Sequence, residues 1–389
     1  MTGAAGARWR VSAIFLLHGI MVANWFARIP AVQEKLGLRV GALGMALLFS
    51  TAGALCGMPL TSRLVGRFGS ARVTRFSTIV FCLVLPLPAC VTKAWMLGPS
   101  LFAFGWAAAA MDIAMNTQAV VVEHALGKPV MSSFHALFSL GGMAGSAMGG
   151  VAASLRLSPP VHLMAIVPLL IAAAAYATRD LLEDQHESTP AAIPIHWTRH
   201  LASLWGVGAI AFCVLMGEGA MADWGAVYVG SLHGVSSGVA AAGYAVFSVA
   251  MAAGRLLGDR LRSRFPETVI VRRGAVLASL GLFAGLAQGA LPGALVGFAC
   301  AGLGFSTIFP ILTFRGGRVP GIAPQAGIAA VTAMGYAGFL FGPPVIGGLA
   351  QLTSLRVGLC VLPLLSAAAA LLTRAALEAA ARPQPVSPG

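Results

Sequence analysis

Charge is scarce in this chain. Only 10% of its 389 residues are Asp, Glu, Lys or Arg, where a soluble domain carries about a quarter. The runs Gly274 to Phe314 and Val319 to Leu355 contain no charged residue at all. Each is longer than the roughly 20 residues of one bilayer crossing, so each must hold two crossings or a hairpin. A large soluble core is excluded by the same counts. No G-x-x-x-x-G-K-[ST] segment occurs, which disfavours ATP-driven work. No pair among the six cysteines has zinc-like spacing, no metal-ligand cluster or nucleophile constellation stands out, and no cofactor is implied. No small-residue cleavage site follows the early apolar stretch, so a cleaved signal peptide is not expected.

Apolar residues make up 58% of the chain. They fall into twelve expected spans, at roughly 11–30, 42–62, 74–92, 95–122, 131–154, 160–178, 203–229, 238–257, 271–289, 292–314, 324–351 and 355–374. The segments are continuously apolar rather than alternating, and backbone exposed to lipid must satisfy its own hydrogen bonds. Helices are therefore required and strands excluded. The fold class read from this is an all-α membrane protein of twelve helices in two pseudo-symmetric six-helix bundles.

The two bundles echo one another. Asn24-Trp25 returns as Asp223-Trp224 and Gly44 as Gly243, each 199 residues later. A doubled six-span unit is the architecture of many secondary transporters. The expected organisation is a first bundle over 1–179, a polar connector over 180–200, a second bundle over 201–375 and a disordered, proline-containing tail over 376–389.

Lys and Arg placement sets the expected orientation. With the N-terminus inside, only Arg28, Lys35, Arg39, Lys93, Arg156 and Arg356 fall outside, and the other nineteen of 25 basic residues fall inside. Both termini are then expected on the cytoplasmic side. The net charge of +13 reflects this topology. The basic residues flank spans instead of forming one patch, which argues against nucleic-acid binding.

The segment Ser62-Arg63-Leu64-Val65-Gly66-Arg67-Phe68-Gly69-Ser70-Ala71-Arg72, read as a loop, resembles the signature between helices two and three of the major facilitator superfamily, G-x-L-A-D-R-F-G-R-R. Gly66 stands where the family has Asp. The equivalent loop after span eight, Gly254-Arg255-Leu256-Leu257-Gly258-Asp259-Arg260, keeps the acidic residue. The resemblance implies a conformational latch, with Asp259, Arg255, Arg260 and Arg67 as candidates; an ordinary basic loop fixing topology is the plainer reading. Asp112-x-x-x-Asn116, Phe134-His135-x-x-Phe138-Ser139-Leu140-Gly141-Gly142, Glu218-Gly219-x-x-x-Asp223-Trp224 and Gly335-Tyr336-x-Gly338-Phe339-Leu340-x-Gly342-Pro343-Pro344 resemble a bacterial subgroup near the fucose-permease and rhizopine-transporter-like proteins. Together these likenesses cover nearly the whole chain.

Ionisable groups inside the spans are the candidate site. Each intramembrane charge costs at least ~2.5 kcal/mol on insertion scales, so it needs a partner, water or a proton. Span seven carries Glu218 and Asp223, about 140 degrees apart on the helix, so the two need not meet one ligand. A carboxylate withdrawn from water can load a proton, the physical need of a proton-coupled carrier. Span four carries Asp112 and Asn116, one turn apart on one face; Asn offers both donor and acceptor to a hydroxyl-rich or amide solute. The alternative for each is a structural polar group tying helices together. His135, early in span five, is a relay candidate or a helix-bridging donor. Asn24, Trp25 and Arg28 in span one and Trp224 in span seven complete the set. An interfacial aromatic belt explains the tryptophans, and snorkelling to the outer rim explains Arg28. The small-residue ladder Gly141, Gly145, Gly149, Gly150 resembles an exporter motif, but close helix packing explains it and gives no direction of transport.

The function expected is secondary active, proton-coupled transport of a small polar, sugar-like solute by alternating access, with the lipid bilayer and protons as partners, in a monomer and not an enzyme. A proton-driven antiporter exporting a toxic amphipathic compound is the second reading. A non-transporting sensor or scaffold is the third, disfavoured because the connector is too short for a signalling domain.

Overall fold

The computed structural model describes residues 3–381 apart from 129, 184–196, 321 and 323. Among the described residues, twelve helices are long and apolar enough to cross a membrane: Ala5–Lys35, Val40–Phe68, Ser70–Cys90, Ala94–Leu126, Met131–Ser154, Pro159–Ala177, Leu204–Gly230, Ser237–Gly258, Glu267–Gln288, Leu291–Gly316, Ala326–Leu352 and Leu355–Ala380. These are spans one to twelve below. The count matches the sequence expectation, and most edges agree within a few residues.

The edges that differ have physical causes. The signature segment after span two is not a loop. Helix continues to Phe68, Gly69 turns the chain at φ +81, and the next helix starts at Ser70. Only glycine adopts that backbone readily, so one residue suffices for the reversal. The segment after span eight is helical as well, running through to Arg264. Polar residues here extend helices beyond the apolar stretch, and hydropathy alone reads such ends as loop. The last helix likewise reaches Ala381, past the expected start of the tail at 376. Most of the expected connector and residues 382–389 lie outside the described residues, while Trp197 already opens the helix of span seven. Span one breaks at Ala27-Arg28, where Pro30 begins a fresh helical segment over Ile29–Lys35.

Six crossings separate the N-terminal end from the connector, and six more separate the connector from the C-terminal end. All three therefore share one face, called the connector side below; the opposite face is the far side. Within the first half, span one packs along span five and span two along span four; within the second, span seven packs along span eleven and span nine along span ten. The halves meet where span two lies on span eleven and span five on span eight.

Small residues make these crossings. A Cβ on Gly19 would strike the backbone of Phe138 and Gly142, and one on Gly141 the backbone of Leu16 and Gly19. Backbone approach this close admits no larger side chain, and it gains packing and weak Cα–H contacts in lipid, where no hydrophobic force drives helices together. The rest of the ladder follows suit. Gly145 abuts Ile20, Gly149 abuts Ala27, and Gly150 crosses to Gly238 of the other half.

Several contacts between the halves lie on the far side. Gly44 meets Pro343 and Gly347, the Gly41 amide donates to Gln351 Oε1 at 3.2 Å, and Thr51 Oγ1 donates to the Phe339 carbonyl at 3.3 Å. All of these lie in the far-side half of spans two and eleven. The far side is thus closed along this seam.

Candidate functional site

Two cavities lie between the halves. The central one, about 230 Å³, is lined by spans one, two, four, seven and eleven, including His18, Thr51, Asp112, Asp223, Tyr336 and Phe339. The second, about 320 Å³, lies toward the connector side between spans five, seven, eight and ten, with His135, Glu218, Arg255, Arg262 and Thr313 on its walls. The angular separation read from the sequence is realised: Asp223 opens on the central cavity and Glu218 on the connector-side vestibule.

In the central cavity each half supplies one acid. Asp112 comes from span four; His18 Nδ1 of span one stands 4.0 Å from its Oδ1. Asn116 Nδ2 donates to Asp112 Oδ1 at 3.2 Å and to the Asp112 carbonyl at 2.8 Å, so the pair shares one face as the spacing requires. Asp223 comes from span seven, on the other half. The His18 ring is fixed by Phe81 at 5.6 Å and Phe138 at 5.4 Å between centroids. Phe26, Phe104, Tyr336 and Phe339 supply aromatic wall, and among the described residues neither Lys nor Arg lines this cavity.

In the vestibule Arg255 Nη2 lies 3.9 Å from Glu218 Oε2. Arg255 Nη1 also donates to Ser139 Oγ at 2.8 Å and to the His135 carbonyl at 3.4 Å. Ser139 and His135 are in span five, so one guanidinium bridges the halves. The His135 ring stands edge-on to Phe15, 5.2 Å between centroids. Arg262 opposite is held at 3.4 Å by Glu267, which also accepts from Arg315.

The other candidates sit elsewhere. Trp25 and Trp224 are not belt residues: they are 1% and 0% exposed, and Trp25 packs 6.0 Å from the Phe104 ring. The exposed tryptophans near span ends are Trp9, Trp95 and Trp205. Apolar run length cannot tell a lipid-facing from a protein-facing tryptophan, which is why the belt reading fails. Asn24 is fully buried, donating to the Ile20 carbonyl at 2.8 Å and approaching Met148 Sδ at 4.0 Å, away from both cavities. Arg28 does not snorkel. It is 2% exposed, donates to the Leu157 carbonyl, and has no carboxylate within ion-pair distance among the described residues. The break at Ala27-Arg28 turns its side chain inward.

Of the latch candidates, Arg67 is exposed over its neighbour Phe68, and Arg260 is exposed; neither pairs with a described carboxylate. The Asp259 side chain lies outside the described set. Arg255 pairs with Glu218. Reading along the sequence missed that pairing, although position 255 sits in the segment singled out for its basic residues. It missed also the approach of His18 to Asp112 and the place of Tyr336 on the cavity wall. Tyr336 belongs to the span-eleven motif already singled out, so the motif was visible and its target was not. Glu123 accepts from the Val130 and Met131 amides at 2.7 and 2.9 Å, capping span five.

A family model described as Major Facilitator Superfamily matches residues 11–319. An uncharacterized MFS-type transporter of Yersinia pestis is 36% identical over 362 residues, 92% of each chain. Membrane protein MosC of Rhizobium meliloti is 30% identical over 360 residues, 90% of this chain and 86% of that one. The crystal structure of an Asn-to-Ala variant of the Escherichia coli fucose:proton symporter FucP superposes with a TM-score of 0.60 at 14% identity, covering 94% of this chain and 97% of that one. That last likeness is one of fold.

Proposed function

Because the chain belongs to the major facilitator superfamily, whose members are transporters and not enzymes, we propose that it is a proton-coupled carrier of a small polar, sugar-like solute working by alternating access. The observation that carries this reading is the central cavity, to which each half contributes one acid, Asp112 and Asp223. Carboxylates at membrane depth need a proton, water or partner, and a cavity shared by two halves that rock about it supplies a place to exchange one. The fucose:proton symporter with the same fold supports both the solute class and the coupling.

The wall chemistry narrows the solute. Two carboxyl groups, one imidazole and hydroxyls, with no Lys or Arg, offer acceptors and donors to a neutral or amine-bearing solute and no counter-charge to an anion. Aromatic faces suit the C–H side of a small ring. A proton moved through 100 mV contributes about 2.3 kcal/mol, roughly fiftyfold in solute gradient, so one proton per cycle is enough for useful accumulation. The same reading takes the protein as a monomer in a bacterial inner membrane with both termini cytoplasmic, built of two six-helix bundles, the second opening at Trp197 and reaching Ala381.

The test is flux in proteoliposomes under an imposed pH gradient, with a panel of neutral monosaccharides, amino sugars and sugar acids. Uptake of a neutral or amino sugar that collapses with the gradient, and falls at least about tenfold in Asp112→Asn and in Asp223→Asn, is the expected result. Gradient-independent flux, or a preference for the sugar acids, overturns it.

A further inference from the structure

The vestibule contains a charge pair that the central site does not use. We infer that Glu218 and Arg255 act as a check on closure of the connector side: the vestibule closes while Glu218 is ionised and is held open while Glu218 carries a proton. The inference rests on the alternating-access reading above and adds the residues that tie proton occupancy to it.

Three observations carry it. First, Arg255 belongs to the second half but grips the first, through Ser139 Oγ at 2.8 Å and the His135 carbonyl at 3.4 Å. Span five and span eight are joined here a second time, by Ser248 Oγ donating to the Ser139 carbonyl at 2.7 Å. Second, among the described side chains the vestibule wall has one carboxylate for Arg255. Glu267 already serves Arg262 and Arg315, which leaves Glu218 at 3.9 Å as the counter-charge. Third, the vestibule lies at this end of the interface, whereas contacts between span two and span eleven close the far side along that seam. Closing the connector side must shrink the vestibule around the guanidinium, which spans five and eight already hold between them.

The electrostatics then set the direction. A guanidinium enclosed with an ionised carboxylate forms a compensated pair. The same guanidinium enclosed with a neutral Glu218 is a buried lone charge, and neutral acceptors on span five offset only part of its lost hydration. A proton on Glu218 therefore opposes closure, and its release permits it. The groups facing this pair are His135 from span five, Arg262 from the end of the span-eight helix, and the Tyr244 and Tyr336 phenols, with Asp223 further along span seven. Among the described side chains none of these supplies a second carboxylate to the vestibule wall, so none of them replaces Glu218.

Two cysteine reporters read the two sides. Ser132→Cys lies on the vestibule wall, and Thr51→Cys lies on the sealed far-side seam. A membrane-impermeant maleimide is applied from one face at a time to oriented vesicles, and the modified peptide is identified by mass spectrometry so that the native cysteines can stay. Glu218→Gln should label at Ser132→Cys at least about threefold faster from the connector side, and at Thr51→Cys correspondingly slower from the far side. The double variant Glu218→Gln/Arg255→Gln removes the lone charge and should return both rates to within about twofold of the parent. Acidification should move the parent protein toward the Glu218→Gln rates and leave the double variant unmoved. The inference is overturned if Glu218→Gln labels like the parent, or if the double variant stays as open as the single one. If Thr51→Cys is never labelled from the far side in any variant, alternating access itself is overturned, which is a separate outcome.

Discussion

The two halves share a scaffold and differ in what they do with it. At the 199-residue offset Gly19 faces Glu218, Asn24 faces Asp223 and Arg28 faces Val227, while Trp25 and Trp224 are kept. The first half spends position 19 on backbone contact with span five. The second half makes the equivalent crossing through Gly338 of span eleven against Phe212 and Met216, which frees position 218 to carry a carboxylate into the vestibule. The shared positions hold helices together, and the divergent ones hold the ionisable chemistry. Repeat symmetry thus locates function by its failures.

That contrast can be broken most directly at Gly19. Gly19→Leu drives a side chain onto backbone, which cannot move aside as a side chain can. Its cost is expected at or beyond the upper end of the ~1–3 kcal/mol of ordinary overpacking. Loss of a monodisperse peak and of a cooperative melt in detergent would show it, and Glu218→Gln at the mate position should melt like the parent. Equal tolerance at both positions would mean that the halves do not divide their roles this way.

The kept tryptophans come next. Both are enclosed, so Trp25→Ala and Trp224→Ala should each cost about 3–5 kcal/mol, whereas the exposed Trp95→Ala should stay within about 0.5 kcal/mol. Melting temperatures compared across the three variants decide it.

Arg28 and Val227 test the opposite sign. A buried guanidinium without a carboxylate is unfavourable, so Arg28→Met should raise stability, by about 1–4 kcal/mol if it behaves like other buried charges replaced by apolar groups. A fall in melting temperature would show that the Leu157 carbonyl alone compensates the charge.

The smallest effect concerns Gly44 and Gly243, which are repeat mates with different neighbours. Gly44 abuts Pro343 in the opposite half, and Gly243 abuts Gly225 in its own half. Gly44→Ala should wedge the far-side seam and slow transport while shifting the melt little. Gly243→Ala should lower the melt by about 1 kcal/mol or more and act on transport only through stability. Flux and melting measured on the same preparations separate the two.

Much of the scaffold could be read from the chain. Twelve long apolar runs poor in charge leave few other arrangements in a bilayer. The family signature was legible too, although its glycine turn hides inside two helices. The facing of side chains was only partly legible. The angle between Glu218 and Asp223 came from helix geometry and is found. Which tryptophans meet lipid did not, because a protein-facing and a lipid-facing position are equally apolar in a membrane helix. The partners of Asp112 and Glu218 lie on other spans, at sequence separations where periodicity carries no information.

Glu123 has a mechanical consequence. By accepting from two amides at the start of span five it splints that helix to the end of span four. The two spans have little other direct contact among the described residues, so this side chain is the strut of a crank whose bearing is span one. One arm of the crank bears Asp112 at the central cavity, and the other bears Ser139 under the Arg255 guanidinium. Span one packs against both arms, so the Glu123 joint and span one together tie the place of Asp112 to that of Ser139.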